Sequence, residues 1–153
     1  MKGKKYQGFS LIEILVVVAL IIILATITIV AINPAKNFRD TRNAQRSADI
    51  MQILNAVTQY TSEEGNLLSG LGTIPACDVV EAEYGVQIGT GAGNVNLATG
   101  LVEEYLVAIP TDPSGGTDEA TGYYICQTTT GRVEITGFKE IDANNTEAIT
   151  VKR

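Results

Sequence analysis

Ile14 to Ile32 is a run of nineteen residues without a single charged side chain. Nothing else in the chain limits its fold as sharply. At about 1.5 Å per residue, a helix of that length is roughly 28 Å long, close to the hydrocarbon core of a bilayer. The run is too long for a strand. Its many Val and Ile residues weaken helix propensity in water, but in lipid the backbone has no hydrogen-bonding partner other than itself. A transmembrane helix is therefore expected. The apolar core of an ordinary secretory signal is shorter, about 7–15 residues, and ends in a small-x-small cleavage site. Here the run is longer, and "VAINPA" offers a poor site of that kind.

Charge around the run leaves its orientation open. Lys2, Lys4 and Lys5 precede it, while Lys36, Arg39, Arg42 and Arg46 follow it. The positive-inside count is nearly balanced. The two cysteines of the chain, Cys77 and Cys126, could form one disulfide, which tilts the reading towards export of the C-terminal part. Such a bridge would close a loop of about fifty residues and contribute roughly 4 kcal/mol in the chain-entropy model. Two separate buried thiols are the other reading.

The chain has 153 residues, room for one domain. It has no histidine, which excludes Ser-His-Asp and Cys-His catalysis and the common zinc sites. No constellation of catalytic residues is visible, and an enzyme is not expected. From Gly65 onward there are twelve acids against four basic residues, a net charge near −8, which argues against nucleic acid as a partner of that part. Of fifteen glycines, none falls between Phe9 and Glu64 and thirteen fall at Gly65 or later. The first part is able to be helix throughout; the second is turn-rich.

Pro34 ends or kinks the apolar helix, or starts a second helix as its first residue. Ala35 to Glu64 reads as helix. Ile50, Ile53, Leu54 and Val57 recur at i, i+3, i+4 and i+7, and Tyr60 extends this core-facing stripe. Gly65-Asn66 supplies the stop. A continuous helix from Phe9 to Glu64 would be roughly 84 Å long. Beyond it, Tyr123–Thr128 and Arg132–Thr136 flank Thr-Thr-Gly as a hairpin, and Ala148–Lys152 forms a further strand. Leu101–Val107 reads as a short helix. An antiparallel sheet of three or four strands on the Ile50–Tyr60 face gives an α+β head.

Glu13 is the one carboxylate at the edge of the apolar run. It suits the first turn of a helix, where an acid gains about 0.3–1 kcal/mol from the macrodipole. It equally suits a cation brought to it in an apolar setting. The residues alone leave both readings open.

The stretch "KGKKYQGFSLIEILVVVALI" resembles the N-terminus of a type IV prepilin. The motif G-F-[ST]-L-[IL]-E, followed by some twenty apolar residues, is specific, and covers about a quarter of the chain. The resemblance implies a leader at 1–8, cleavage after Gly8, N-methylation of Phe9, and a role for Glu13 in assembly. It implies the type IV pilin fold, with a membrane and filament-core helix at 9–34, a head helix at 35–64 and a β-rich head at 65–153. The implied partners are further copies of the chain in a filament, a prepilin peptidase, the inner-membrane assembly machinery, and membrane lipid before assembly. Cleavage turns an amide into an ammonium, and methylation leaves that charge in place. Paired with Glu13 at about 4 Å and an effective dielectric near 20, it gains about 4 kcal/mol before desolvation. An acid deep in a membrane helix costs roughly 3 kcal/mol, so pairing offsets the penalty without adding much stability.

Arg39, Arg42 and Arg46, at i, i+3 and i+7, form a basic stripe with four readings: a solvated face, a contact with acidic heads of neighbouring subunits, a headgroup contact, or DNA binding. "PTDPSGGTDE" at 110–119 offers Asp112, Asp118 and Glu119 as oxygen donors of the kind calcium takes. It resembles the calcium loop of major pseudopilins, although its spacing is different; the competing reading is a plain acidic turn with no cofactor. "GTGAGN" at 89–94 lacks the Lys-Ser or Lys-Thr of a phosphate loop and reads as a flexible loop. The functional expectation is a filament subunit. A pseudopilin of a secretion or DNA-uptake system and a monomeric membrane-tethered binding module are the alternatives.

Overall fold

The computed structural model describes residues 8–77, 84–142 and 144–153. The chain divides into two compact units, Met1–Phe38 and Arg39–Arg153.

In the first unit, α1 runs from Leu11 to Ile32. Ser10 is its N-cap, with extended backbone (φ −71°, ψ 145°), and the Glu13 carboxylate turns back to accept the Ser10 backbone N–H at 2.9 Å. An orphan donor of the first turn is thereby satisfied. Further along, the Thr26 and Thr28 hydroxyls donate to the carbonyls of Ile22 and Leu24, each at 2.8 Å. The only hydroxyls inside the apolar run thus need no outside partner. α1 is apolar all round and buries no residue in this chain. All seventeen large apolar side chains from Phe9 to Ile32 are exposed. A helix of this kind is long and apolar enough to cross a membrane.

The helix expected to be continuous from Phe9 to Glu64 is interrupted. Asn33 adopts the left-handed conformation (φ 46°, ψ 72°), which Asn tolerates better than most residues. Pro34 then opens α2, Pro34–Ser62, as its first residue. Proline fits there because the N–H it lacks would have had no acceptor. Asn33 caps the new helix, its Oδ1 accepting the Lys36 N–H at 3.3 Å. Asn37 Nδ2 donates to the Ile32 carbonyl at 3.1 Å, so the last carbonyl of α1 has a partner as well.

In the second unit, α2 supplies Ile50, Ile53, Leu54 and Val57 to the core, all buried, with Tyr60 partly buried beside them. The sheet is an antiparallel meander in the order β1-β2-β3-β4: Val86–Gln87, Tyr124–Gln127, Val133–Glu140 and Thr146–Lys152. Tyr124 pairs with Thr136, and Ile135 with Val151, which sets the register of the three longer strands. Tyr123, Ile125 and Ile135 join the α2 stripe in one cluster with Ile88, Leu97 and Leu101. Gly137 lets the helix approach: a Cβ there would lie 3.1 Å from the Tyr123 ring and 3.3 Å from the Ile50 side chain. This is the α+β arrangement of the type IV pilin fold.

Two local expectations shift. β3 continues four residues past Thr136 because Gly137 serves the packing and does not end the strand. The short helix α3 is Ala98–Leu101, not Leu101–Val107. From Leu101 the chain turns tightly, with Leu106 N–H donating to the Leu101 carbonyl at 2.9 Å and Glu103 at φ 78°.

Candidate functional site

The residues that the resemblance ties to processing, Gly8 and Phe9, lie just before the N-terminus of α1. Gly8 has nothing within 4 Å of the position a Cβ would take. Phe9 is 83% exposed. The Gly8–Phe9 bond is thus free of packing on its C-terminal side, and the rest of the expected leader lies outside the described residues. Glu13 is the N3 residue of α1, and its carboxylate already has the Ser10 N–H as a partner. The first-turn reading of Glu13 is therefore realised in the single chain. It leaves the second carboxylate oxygen, and remaining lone pairs, available to an amine.

The arginine stripe is largely turned inwards, which corrects the expectation of a solvated or intersubunit face at Arg46. Arg46 is 2% exposed. Its Nε donates to Asp112 Oδ2 at 2.6 Å and its Nη2 to Asp112 Oδ1 at 2.9 Å. The same guanidinium reaches Ser114 Oγ at 2.7 Å, Glu140 Oε1 at 2.8 Å and Asn43 Oδ1 at 2.9 Å. Arg42 pairs with Glu140 through Nε at 3.1 Å and through Nη2. Asn43 adds two bonds to the Glu140 backbone, one to the carbonyl and one from the N–H, each at 2.8 Å. Arg39 stays half-buried near Asp142. The physical reason is charge matching. Arg46 lies on the buried side of α2 and needs acceptors there, and the acids that provide them are distant in sequence, Asp112 in a loop and Glu140 at the end of β3. Arg42, Ser114 and Arg46 together hold the Glu140 carboxyl well below the usual carboxylate range.

One turn further along α2, Asp49 accepts the Tyr123 hydroxyl at 2.6 Å inside the head. Burial pushes the Asp49 carboxyl up against the opposing effect of that bond, with nearby Asp112 adding to the rise. Burial, with Asp49 second, pushes the Tyr123 phenol up as well. Sequence reasoning passed over this pair because neither residue belongs to a recognisable motif. The signal available was an acid at position 49, next to the apolar stripe.

Cys77 and Cys126 are joined, with 4.9 Å between their Cα atoms. Cys126 is buried on β2, and the Cys77 N–H donates to the Gln127 carbonyl at 3.0 Å, so the bridge fastens the loop to the sheet end. The three acids expected to offer a calcium site are not brought together. Asp112 holds Arg46 and the Ser114 N–H. Asp118 and Glu119 present backbone carbonyls to Thr90 and Gly91, and the Glu119 carbonyl also accepts from Asn94 Nδ2 at 2.7 Å. The 89–94 loop is thus tied down rather than loose. Among the described residues, the one group of three potential metal ligands is Cys77, Cys126 and Glu134, and its two sulfurs are already bonded to each other.

Set against known proteins, residues 3–29 match the family described as the prokaryotic N-terminal methylation motif. The matched span contains Gly8, Phe9, Glu13 and most of the apolar run. No curated protein and no solved structure matched the chain.

Proposed function

We propose, from the N-terminal methylation motif that this chain shares with type IV pilins and pseudopilins, that it is the structural subunit of a pilus-like filament. It is made as a single-pass precursor in the inner membrane with its head outside the cytoplasm. A prepilin peptidase cleaves after Gly8, Phe9 is N-methylated, and the chain polymerises through its N-terminal helix. The observation that carries this reading is the combination in one short segment of the matched motif with a helix whose large apolar side chains are all uncovered.

The physics follows from that surface. Lipid covers the apolar side chains in the precursor, and identical helices cover them in a filament. Moving from one to the other changes the apolar term little, so small polar terms decide assembly. Glu13 is the acid placed to supply one. Cleavage liberates a cation at Phe9, and a neighbour's ammonium meeting a carboxylate in an apolar setting fixes how far one subunit slides along another.

Two substitutions test this in a host with the export and assembly machinery. Gly8→Leu is expected to leave full-length precursor in the membrane. Glu13→Val is expected to leave cleaved chain in the membrane with few or no surface filaments. A mature-sized Gly8→Leu product, or normal filament numbers for Glu13→Val, contradicts the assignment.

A further inference from the structure

Of the chain's nine asparagines, only Asn144 has Ser or Thr two residues on: Thr146, with Asn145 between them. This is the acceptor pattern for N-linked glycans. Asp142 stands two residues before Asn144, and an acid in that position is the additional feature that bacterial oligosaccharyltransferases read.

The run lies at the tip of the β3–β4 hairpin, just past the last strand pair, Glu140 with Thr146. Ile141, Asp142, Asn144, Asn145 and Thr146 are all exposed, and β4 is the outer strand of the sheet. Asn and Asp are ordinary turn residues, so the turn itself is the plain explanation of the composition. The hydrogen bonds separate the two uses. The Asp142 carboxylate accepts the backbone N–H groups of Asn144 and Asn145 at 2.9 and 3.0 Å, and the Asn145 amide at 2.6 Å. Asp142 and Asn145 therefore build the turn. Among the described residues, the side-chain amide of Asn144 and the hydroxyl of Thr146 make no hydrogen bond. These are the acceptor amide and the hydroxyl of the pattern, and the turn uses neither; Asp142, the acid of the pattern, holds the turn and is released when the tip opens. Among the described residues, two backbone bonds close the tip, Ile141 N–H and Asp142 N–H to the Asn145 carbonyl at 2.9 and 3.3 Å, beside the three bonds of the Asp142 carboxylate, and all of them lie on an exposed hairpin end where local opening is cheapest.

We infer that Asn144 is an N-glycosylation acceptor on the head. The co-substrate is an oligosaccharide carried on a polyprenyl pyrophosphate. Asn144 Nδ2 attacks the anomeric carbon, the bond from that carbon to the pyrophosphate oxygen breaks, the polyprenyl pyrophosphate leaves, and the amide nitrogen loses one proton. The inference rests on the reading that the head is outside the cytoplasm, where such transferases act.

Two arms keep the two ideas apart. In the first, the full-length chain is produced in cells that hold a bacterial oligosaccharyltransferase and its lipid-linked donor. In the second, the purified full-length chain in detergent micelles is mixed with the purified enzyme and donor. The readouts are intact mass and the tryptic peptide 140–152. The expected result in both arms is one glycan mass on Asn144, absent from Asn144→Gln and from Thr146→Ala, with the fold of both variants unchanged. Modification in micelles but not in cells supports Asn144 as acceptor and overturns the exported head. An unmodified chain in micelles, where a control acceptor peptide is glycosylated, overturns the inference, as does a glycan that persists in Asn144→Gln.

Discussion

Arg46 donates to both carboxylate oxygens of Asp112, at 2.6 and 2.9 Å, from a position on α2 that is 2% exposed. The pair joins the helix to a loop 66 residues away and fixes how α2 lies on the head. Removing Asp112 leaves the buried Arg46 to share the one remaining carboxylate, Glu140, with Arg42. Asp112→Ala is therefore expected to lower the stability of the head by about 3 kcal/mol. Arg39→Ala, on the half-buried end of the same stripe, is expected to stay within about 0.5 kcal/mol. Denaturant midpoints of the full chain in detergent check both.

The same cluster sets the acid limit of the head. Glu140 has its carboxyl pulled below the ordinary value of 4.5 by Arg42 first, then Ser114 and Arg46. Its contribution is fully present above the unfolded value and is lost as pH falls through that value towards the folded one. Asp49 acts in the opposite direction, since its carboxyl is raised, and its burial costs stability as pH rises past the ordinary value of 3.8. Melting followed downwards from about pH 6 to about pH 3 is expected to show a steep loss. Glu140→Gln is expected to start less stable and fall less steeply, whereas Asp49→Asn is expected to fall more steeply than the parent.

The disulfide gives a third expectation. Cys77 and Cys126 are 49 residues apart, and a loop of that size corresponds to roughly 4 kcal/mol in the chain-entropy model. The double variant Cys77→Ala, Cys126→Ala is expected to lose an amount of that order, and reductant is expected to destabilise the parent but not the variant. Equal stability of parent and variant would show that the bridge is dispensable to the head.

Gly137 tests the helix–sheet packing. Alanine in a strand is normally no worse than glycine, because it restricts the unfolded chain. At Gly137 the added methyl meets the Tyr123 ring at 3.1 Å and Ile50 at 3.3 Å. Gly137→Ala is expected to destabilise by about 1 kcal/mol, and Gly137→Val by about 3 kcal/mol. A stabilised Gly137→Ala would mean that α2 sits further from the sheet than described.

What could be read without the structure divides along physical lines. α1 was legible because one property, uninterrupted apolarity, decides its environment. The Ile50–Tyr60 stripe was legible because its period is local. The fate of the arginines was not: their spacing is helical in the sequence, but Asp112 and Glu140 lie 66 and 94 residues from Arg46, and burial depends on those partners. The break at Asn33 was half legible, since Asn33-Pro34 announces a boundary but does not say whether a second helix follows at once. α3 was misplaced because Leu101 to Val107 carries a helical composition, whereas the backbone turns at Glu103 with φ 78°. Gly137 hid the second half of β3, because a glycine in a strand reads as an ending where here it makes room.

The central claim is that cleavage after Gly8 frees an amine that Glu13 awaits in a filament. Its most direct test is the N-terminal peptide of the chain recovered from sheared, sedimented surface material, measured by mass spectrometry. The expected first residue is Phe9 carrying one methyl group on its nitrogen. A chain that still begins at Met1, or one found only as dispersed single molecules, would contradict the account.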